Sequence, residues 1–397
     1  MRISYGQNVY GKEEISAVNK QLKETTQMGK KVAKFENKLA KYFGKKYGVM
    51  VNSGSSALIL AMHILKIKKD DEIITPALNF GTAISSIIFF RAKPVFVDIE
   101  IDTLQIDVKK IEEKITKKTK AILVPNLIGN VPDWRKIKLI AKKYNLKIIE
   151  DSADTLGAKI NNISTGVFSD ISITSFYGSH VISCAGNGGI LLTNEKKIYN
   201  KLKILRSWGR MSSLLKNSEN IKSRLNIKLM GVEYDKKFVF SELGYNFEPS
   251  EIGAAFGLEQ LKKFNKFSKA RNNNFKSHEN FFKKYKDKFI TPKIIKNVKT
   301  NFLAYPIILK KNKKFNRKDL QIYLESKKIQ TRPIFTGNIL RHPAFQNLIS
   351  KKNKLASFPN ADYIMKNGIL IGCHQGLGKS ELAYVHKNIK NFLLTKA

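Results

Sequence analysis

The chain has 397 residues, 42% of them hydrophobic, and a formal net charge of +40 from 72 basic and 32 acidic side chains. That length supports one large core and a second, smaller one, and the two cysteines, Cys184 and Cys373, exclude a disulfide framework or a four-cysteine metal or iron–sulfur site within one subunit. The basic residues are 62 Lys and 10 Arg, with the Lys scattered over amphipathic helices; this argues against nucleic-acid recognition, which favours arginine, but suits a small anionic substrate.

Met1 to Gln7 lacks the apolar stretch of a signal peptide, and the longest apolar run, around Ile84 to Phe90, is too short to span a bilayer. A cytoplasmic protein without a membrane partner is expected. Residues 11 to 43 read as two amphipathic helices, with Ile15, Val18 and Leu22 on one face and Val32, Phe35, Leu39 and Phe43 on another. Tyr47 to Val51 is a short strand that runs through Asn52-Ser53-Gly54-Ser55-Ser56 into the helical pattern Ala57 to Leu65. Such a strand, small-residue turn and helix start aim free backbone N–H groups at one point, which suits a phosphate. An ordinary serine N-cap gives the same pattern.

The alternation then continues. Strands are predicted at Ile73-Ile74, Pro94 to Asp98, Ala121 to Val124 and Lys147 to Glu150, with helices over Asn79 to Phe90 and Pro132 to Tyr144. This rhythm implies a mostly parallel sheet covered by helices, with ligands at the carboxyl ends of its strands. Strands Asp170 to Ser175 and Gly189 to Thr193 flank a polar, glycine-rich stretch that carries His180. A hairpin whose glycines only supply positive φ is one reading of it; a ligand-binding loop is the other. From 207 to 240 the chain is a lysine-rich excursion, of a length that compact domains reserve for function or motion. Glu251 to Phe267 is a helix leading into a second α/β lobe. The expected division is a large domain over 1–265, with the N-terminal helices and the excursion, and a small domain over 266–397.

Four features together resemble the DegT/DnrJ/EryC/StrS family of sugar-nucleotide aminotransferases, over nearly the whole chain. Asn52 to Leu58 is similar to the family's phosphate-binding turn for pyridoxal phosphate, which puts Gly54 and Ser55 at the phosphate. Phe80 stands where the family stacks an aromatic on the cofactor ring. Asp151, in Ile149-Glu150-Asp151-Ser152-Ala153, matches the carboxylate that pairs with the pyridine nitrogen. Gly244-Tyr245-Asn246-Phe247 resembles the segment whose asparagine reaches the phosphate in the partner subunit. The resemblance implies an aspartate-aminotransferase-like α/β fold and a homodimer with shared active sites. It also implies Ser175 as a phosphate ligand. A carboxylate against the ring nitrogen keeps it protonated, so that the ring can accept electrons.

The departure is His180. In these aminotransferases a lysine five residues after the serine matching Ser175 holds the cofactor as a Schiff base; here that position is histidine, and no lysine follows until Lys196. Imidazole cannot form that link but can act as a base. The same exchange marks a subgroup that this sequence resembles, the 3-dehydratases of nucleotide-linked 4-keto-6-deoxyhexoses in deoxysugar and lipopolysaccharide biosynthesis. In that subgroup pyridoxamine phosphate, held non-covalently, condenses with the sugar C4 ketone. The histidine removes a proton and the C3 hydroxyl is expelled. The released product hydrolyses to a ketone and ammonia, and glutamate or a reductase with an iron–sulfur cluster completes the cycle; two cysteines favour glutamate. Arg210, Arg332, Asn338 and His374 are the candidate substrate or amino-donor contacts. Gly178-Ser179, the added residue before Gly186 and Asn187 depart from the subgroup's usual loop, which leaves room for a different substrate. Two alternatives stay open: an aminotransferase with a relocated lysine, and a non-catalytic relative that only binds a ligand.

Overall fold

In the computed structural model, which describes residues 1–215, 219–311 and 314–396, the predicted strands form one seven-stranded sheet. They are β1 (Tyr47–Val51), β2 (Glu72–Pro76), β3 (Lys93–Val97), β4 (Thr119–Pro125), β5 (Lys147–Asp151), β6 (Ile171–Ser175) and β7 (Gly189–Thr193). The spatial order is β1-β7-β6-β5-β4-β2-β3. Neighbours run parallel except β7, which is antiparallel to both β1 and β6. These strands are short, rich in Val, Ile and Leu, and buried on both faces, as a helix-covered parallel sheet requires.

The sheet is accompanied by α1 (Lys12–Glu24), α2 (Lys30–Tyr42), α3 (Gly54–Ile64), α4 (Gly81–Phe89), α5 (Trp134–Lys143) and α6 (Lys196–Arg206). Helix α3 is apolar on nearly every side because it packs between the sheet, α4 and α6. Helix α2 buries Val32, Phe35 and Leu39, as its periodicity predicts.

Helix α1 differs. Its apolar stripe turns outward: Ile15 is 50% and Leu22 55% exposed while Glu14 and Gln21 are buried. The cause is a polar network onto the next long helix, α7 (Glu251–Phe282). Glu14 accepts from Gln260 Nε2 at 2.7 Å, from Lys263 Nζ at 2.6 Å and from the Gly11 N–H at 2.8 Å. That network turns the polar face in and leaves the apolar stripe at the surface.

Helix α7 starts at the Ser250 N-cap and continues unbroken for 32 residues, about 48 Å at 1.5 Å per residue. The expected 265/266 division therefore falls inside one helix that both lobes share. Its first half packs on α1 and α2, and its second half gives Phe275 and Phe282 to the second core. That core covers an antiparallel sheet of β8 (Phe289–Ile290), β9 (Ala304–Leu309), β10 (Thr331–Pro333) and β11 (Gly368–Gly372), in the order β8-β9-β11-β10. Helices α8 (Arg317–Ser326), α9 (Pro359–Asn367) and α10 (Lys379–Thr395) accompany it. Ile3 is also buried in this core, held by bonds to Lys328 and Gln330, so the first residues join the small lobe.

The excursion after Ser207 contains a short helix, Ile221–Arg224, and a two-residue hairpin of Lys228–Leu229 with Val232–Glu233. Its base is pinned where Gly209 crosses Gly244, so close that a Cβ on either glycine would strike the other strand's backbone. Leu225, Met230, Val232, Phe238, Phe240 and Leu243 are exposed along it. Among the described residues no helix is long and apolar enough to cross a membrane.

Candidate active site

At the carboxyl ends of β4, β5 and β6 a cleft of about 250 Å³ opens, where open α/β sheets hold their ligands. One corner is built by the turn after β1. The Ser53 hydroxyl accepts from the Ser56 N–H at 3.1 Å and caps α3, which places Gly54 and Ser55 in its first turn. Ser175 closes β6 beside them. Two glycines make this contact possible: a Cβ on Gly54 would fall 2.8 Å from that of Ser175, and a Cβ on Gly189 would strike the Ser53 carbonyl. Serine hydroxyls and the unpaired N–H groups of a helix start thus converge at one point, the geometry of an anion site.

The floor carries carboxylates. Adjacent residues of β5 point to opposite faces. On the far face Glu150 accepts from Asn126 Nδ2 at 2.9 Å, Ser152 Oγ at 3.0 Å and Ser172 Oγ at 2.6 Å. On the cleft face Asp151 accepts a single bond, from the Ala153 N–H at 3.0 Å, and makes no ion pair among the described residues. Burial pushes its pKa up to about 6, against the pull of the Ala153 bond and with help from the Glu150 charge. Asp154, which sequence reasoning did not single out, lines the same cleft and accepts from the Ile128 N–H at 2.8 Å. Burial raises its pKa to about 7, the Ile128 bond opposing and the Asp151 charge adding. Its position three residues beyond Asp151 was the available signal.

His180 faces these acids from the loop after β6. Its Nδ1 lies 3.2 Å from the Ser175 carbonyl oxygen. A carbonyl only accepts, so Nδ1 carries the hydrogen and Nε2 keeps the lone pair. Burial lowers the pKa to about 4, opposed by the Ser175 bond and assisted by the Arg271 charge, so the imidazole is neutral near pH 7. Among the described residues that line the cleft there is no lysine. Phe80 sits at the rim, 54% exposed, with Phe335 of the small lobe edge-on to it at 6.1 Å between centroids. Phe335 holds a φ of 44°, and Thr336 Oγ1 donates to the Asn79 carbonyl at 2.8 Å, tying that loop to the α4 start.

Gly54, Ser55, Phe80, Asp151, Ser175 and His180 therefore share one cleft. The remaining candidates lie elsewhere. Asn338 is fully buried; its Nδ2 donates to Asp362 at 2.8 Å and its Oδ1 accepts from the Leu340 N–H at 3.2 Å. His374 is also fully buried, its Nδ1 accepting from the Gly376 N–H and its Nε2 donating to the Ser4 carbonyl at 3.1 Å. Each side chain is engaged by bonds within the chain, and neither lines the cleft. Arg332 is exposed over the Tyr5 ring, 5.8 Å from its centroid. Arg210 stacks 4.1 Å above the Trp208 ring, and Asn246 is exposed where it bridges to Ser207; neither lines this chain's own cleft.

A sheet of this topology, with a second lobe joined through one long helix and an anion corner facing a buried, unpaired carboxylate, defines an aspartate-aminotransferase-like α/β enzyme of the pyridoxal-phosphate class. The model described as the DegT/DnrJ/EryC1/StrS aminotransferase family matches residues 8–390, and the chain belongs to that family. It is 33% identical over 374 residues to the GDP-4-keto-6-deoxy-D-mannose 3-dehydratase of Escherichia coli O55:H7, spanning 91% of this chain and 92% of that one. Its fold matches the E. coli GDP-4-keto-6-deoxy-D-mannose 3-dehydratase with bound hydrated PLP at a TM-score of 0.85 and 32% identity, over 98% of this chain and all of that one. A structure of GDP-4-keto-6-deoxymannose 3-dehydratase with a trapped PLP-glutamate geminal diamine matches with a TM-score of 0.84 at 31% identity, over 97% and 99%.

Proposed function

We propose that this chain is a pyridoxamine-phosphate-dependent 3-dehydratase of a nucleotide-linked 4-keto-6-deoxyhexose, acting in deoxysugar and lipopolysaccharide biosynthesis, with His180 as its base. The observation that carries the reading is a neutral histidine with a free Nε2 lone pair in a cleft lined by no lysine. The relatives named for this activity support the reaction type, and the one bearing a glutamate adduct supports glutamate as amino donor.

The cofactor, when bound, supplies an amine for the sugar's C4 ketone and a ring that takes up electrons. The residues supply the rest. Gly54, Ser55 and Ser175 would hold the phosphate at the α3 start, Asp151 would hold the ring nitrogen protonated, and Phe80 would cover the ring. Because His180 is neutral and its Nδ1 is tied to Ser175, Nε2 can take a proton, and the resulting imidazolium can return it toward the departing C3 hydroxyl. Asp154, with a pKa near 7, is able to donate or accept in the same cleft. Phe80 and Phe335 narrow the entrance and limit water.

The active unit in this reading is a homodimer. The exposed stripe of α1 and the exposed apolar residues of the excursion supply surface for a second copy. Asn246 and Arg210 lie outside their own cleft, and in the dimer they would complete the partner's, Asn246 at the phosphate and Arg210 at the substrate. Arg332, exposed near Tyr5, is the candidate for the nucleotide diphosphate.

Borohydride reduction of the purified protein loaded with pyridoxal phosphate, followed by mass spectrometry, tests the assignment. No covalent adduct is expected in the native protein, and in H180K an adduct is expected on the introduced lysine. An adduct on any native lysine in the cleft would favour the aminotransferase reading instead.

A further inference from the structure

A single buried cation stands behind the catalytic loop. Arg271, on α7, has no exposed surface. Its Nε donates to Gln375 Oε1 at 2.6 Å, its Nη1 to the carbonyls of Phe302 and Leu303 at 2.9 and 3.1 Å, and its Nη2 to the His180 carbonyl at 3.3 Å. Every one of these acceptors is neutral, and Arg271 makes no ion pair among the described residues. Gln375, which follows β11, also reaches the same loop, with Nε2 3.5 Å from the Val181 carbonyl. A charge buried without a counter-charge is costly, and an apolar side chain would fill that space at less expense of solvation. The feature it provides that an apolar side chain cannot is a rigid fork between the small lobe and the backbone of His180.

We propose that Arg271 is a positioning residue: with Gln375 it clamps the His180 backbone to the second lobe and holds the imidazole aimed at the cleft. The ionisable groups around that imidazole are Tyr177 on its own loop, Asp151 and Asp154, which line the same cleft, and Arg271 behind it. The two acids favour the imidazolium when ionised; Arg271 opposes it. The charge of Arg271 lowers the His180 pKa, and burial pulls that of Arg271 itself down to about 10, still charged near pH 7. The clamp explains how a loop with Gly178 at its start and positive φ at Ala185, Gly186 and Gly188 can hold a base in place.

This rests on His180 being the base, so the test reads the imidazole and the reaction separately. In apo-protein labelled with ¹³C-histidine, the His180 signal is assigned by its loss in H180N and titrated. In R271M its midpoint is expected to rise by roughly one unit, as for removal of a nearby like charge. In the loaded enzyme R271M is expected to lower kcat by up to about a hundredfold, the cost of a misplaced group, with KM for the sugar unchanged. R271K keeps the charge without the fork, so it should keep the low midpoint and still lose kcat. A folded R271M with unmoved midpoint and unmoved kcat overturns the proposal. Should R271M not fold, Gln375→Leu takes its place: a fall in kcat with a displaced His180 signal supports the clamp, and no change in either overturns it. Full dehydration by H180N would instead defeat the base assignment, leaving the titration to report on Arg271 alone.

Discussion

Two histidines, one on the cleft loop and one behind the small-lobe sheet, have the same acidity and opposite standing. Burial pushes both His180 and His374 down to about 4, and the Arg271 charge adds to each. They differ in what their nitrogens still have to offer. His374 accepts at Nδ1 and donates at Nε2 to its own backbone; His180 donates at Nδ1 and keeps Nε2 for a ligand. The same contrast separates the neighbouring carboxylates of β5, with Glu150 holding three donors and Asp151 one. A shifted pKa marks burial in both regions, and only leftover bonding capacity marks the site.

That contrast can be broken at four points. The largest effect is expected from H180N, which should lose dehydration by about a thousandfold or more, within the range of a lost general base, and still bind cofactor. D151N should slow the reaction by roughly a hundredfold, since the ring nitrogen loses its anion. It should also flatten a pH dependence. Asp151 is ionised above about 6 and neutral below, so the affinity of the native protein for pyridoxamine phosphate should fall as pH drops through about 6, and titration by absorbance would show it. Next, the double substitution Ile15→Lys with Leu22→Lys should weaken dimerisation by more than a hundredfold in sedimentation equilibrium, from two apolar side chains per copy worth ~1.5–3 kcal/mol each when buried. An unaltered monomer–dimer equilibrium would remove the α1 stripe from the interface. The smallest effect is expected from N338A, which breaks the Asp362 bond and a cap: about 1–2 kcal/mol of stability by denaturant unfolding, with kcat within about twofold.

Sequence periodicity was enough for the sheet, because parallel strands buried on both faces read as short apolar runs, and all seven lie where those runs are. It did not say which face of α1 is buried, because Glu14 meets Gln260 and Lys263 some 250 positions away in the chain, and no local pattern encodes that meeting. The helix running through 265/266 was not legible for a related reason, since a helix can serve two cores without any change in composition. Within the site, residues on strand ends and the α3 turn were legible because short-range geometry fixes them. In the small lobe the sequence pointed to Arg332 and Asn338, while the side chain that lines the cleft is Phe335, through a positive φ that sequence does not display. Asp154 was missed because a carboxylate three residues past a strand end reads equally well as a turn residue.

The central claim is elimination by His180 in place of transamination by a lysine, and product analysis tests it most directly. The protein would be incubated in ²H₂O with pyridoxamine phosphate, glutamate and a panel of nucleotide-linked 4-keto-6-deoxyhexoses, and the sugar and ammonia followed by NMR and mass spectrometry. The account predicts a 3-deoxy-4-keto sugar with deuterium at C3 and one ammonia released per turnover. A 4-amino sugar that keeps its C3 hydroxyl, formed without ammonia, would contradict it.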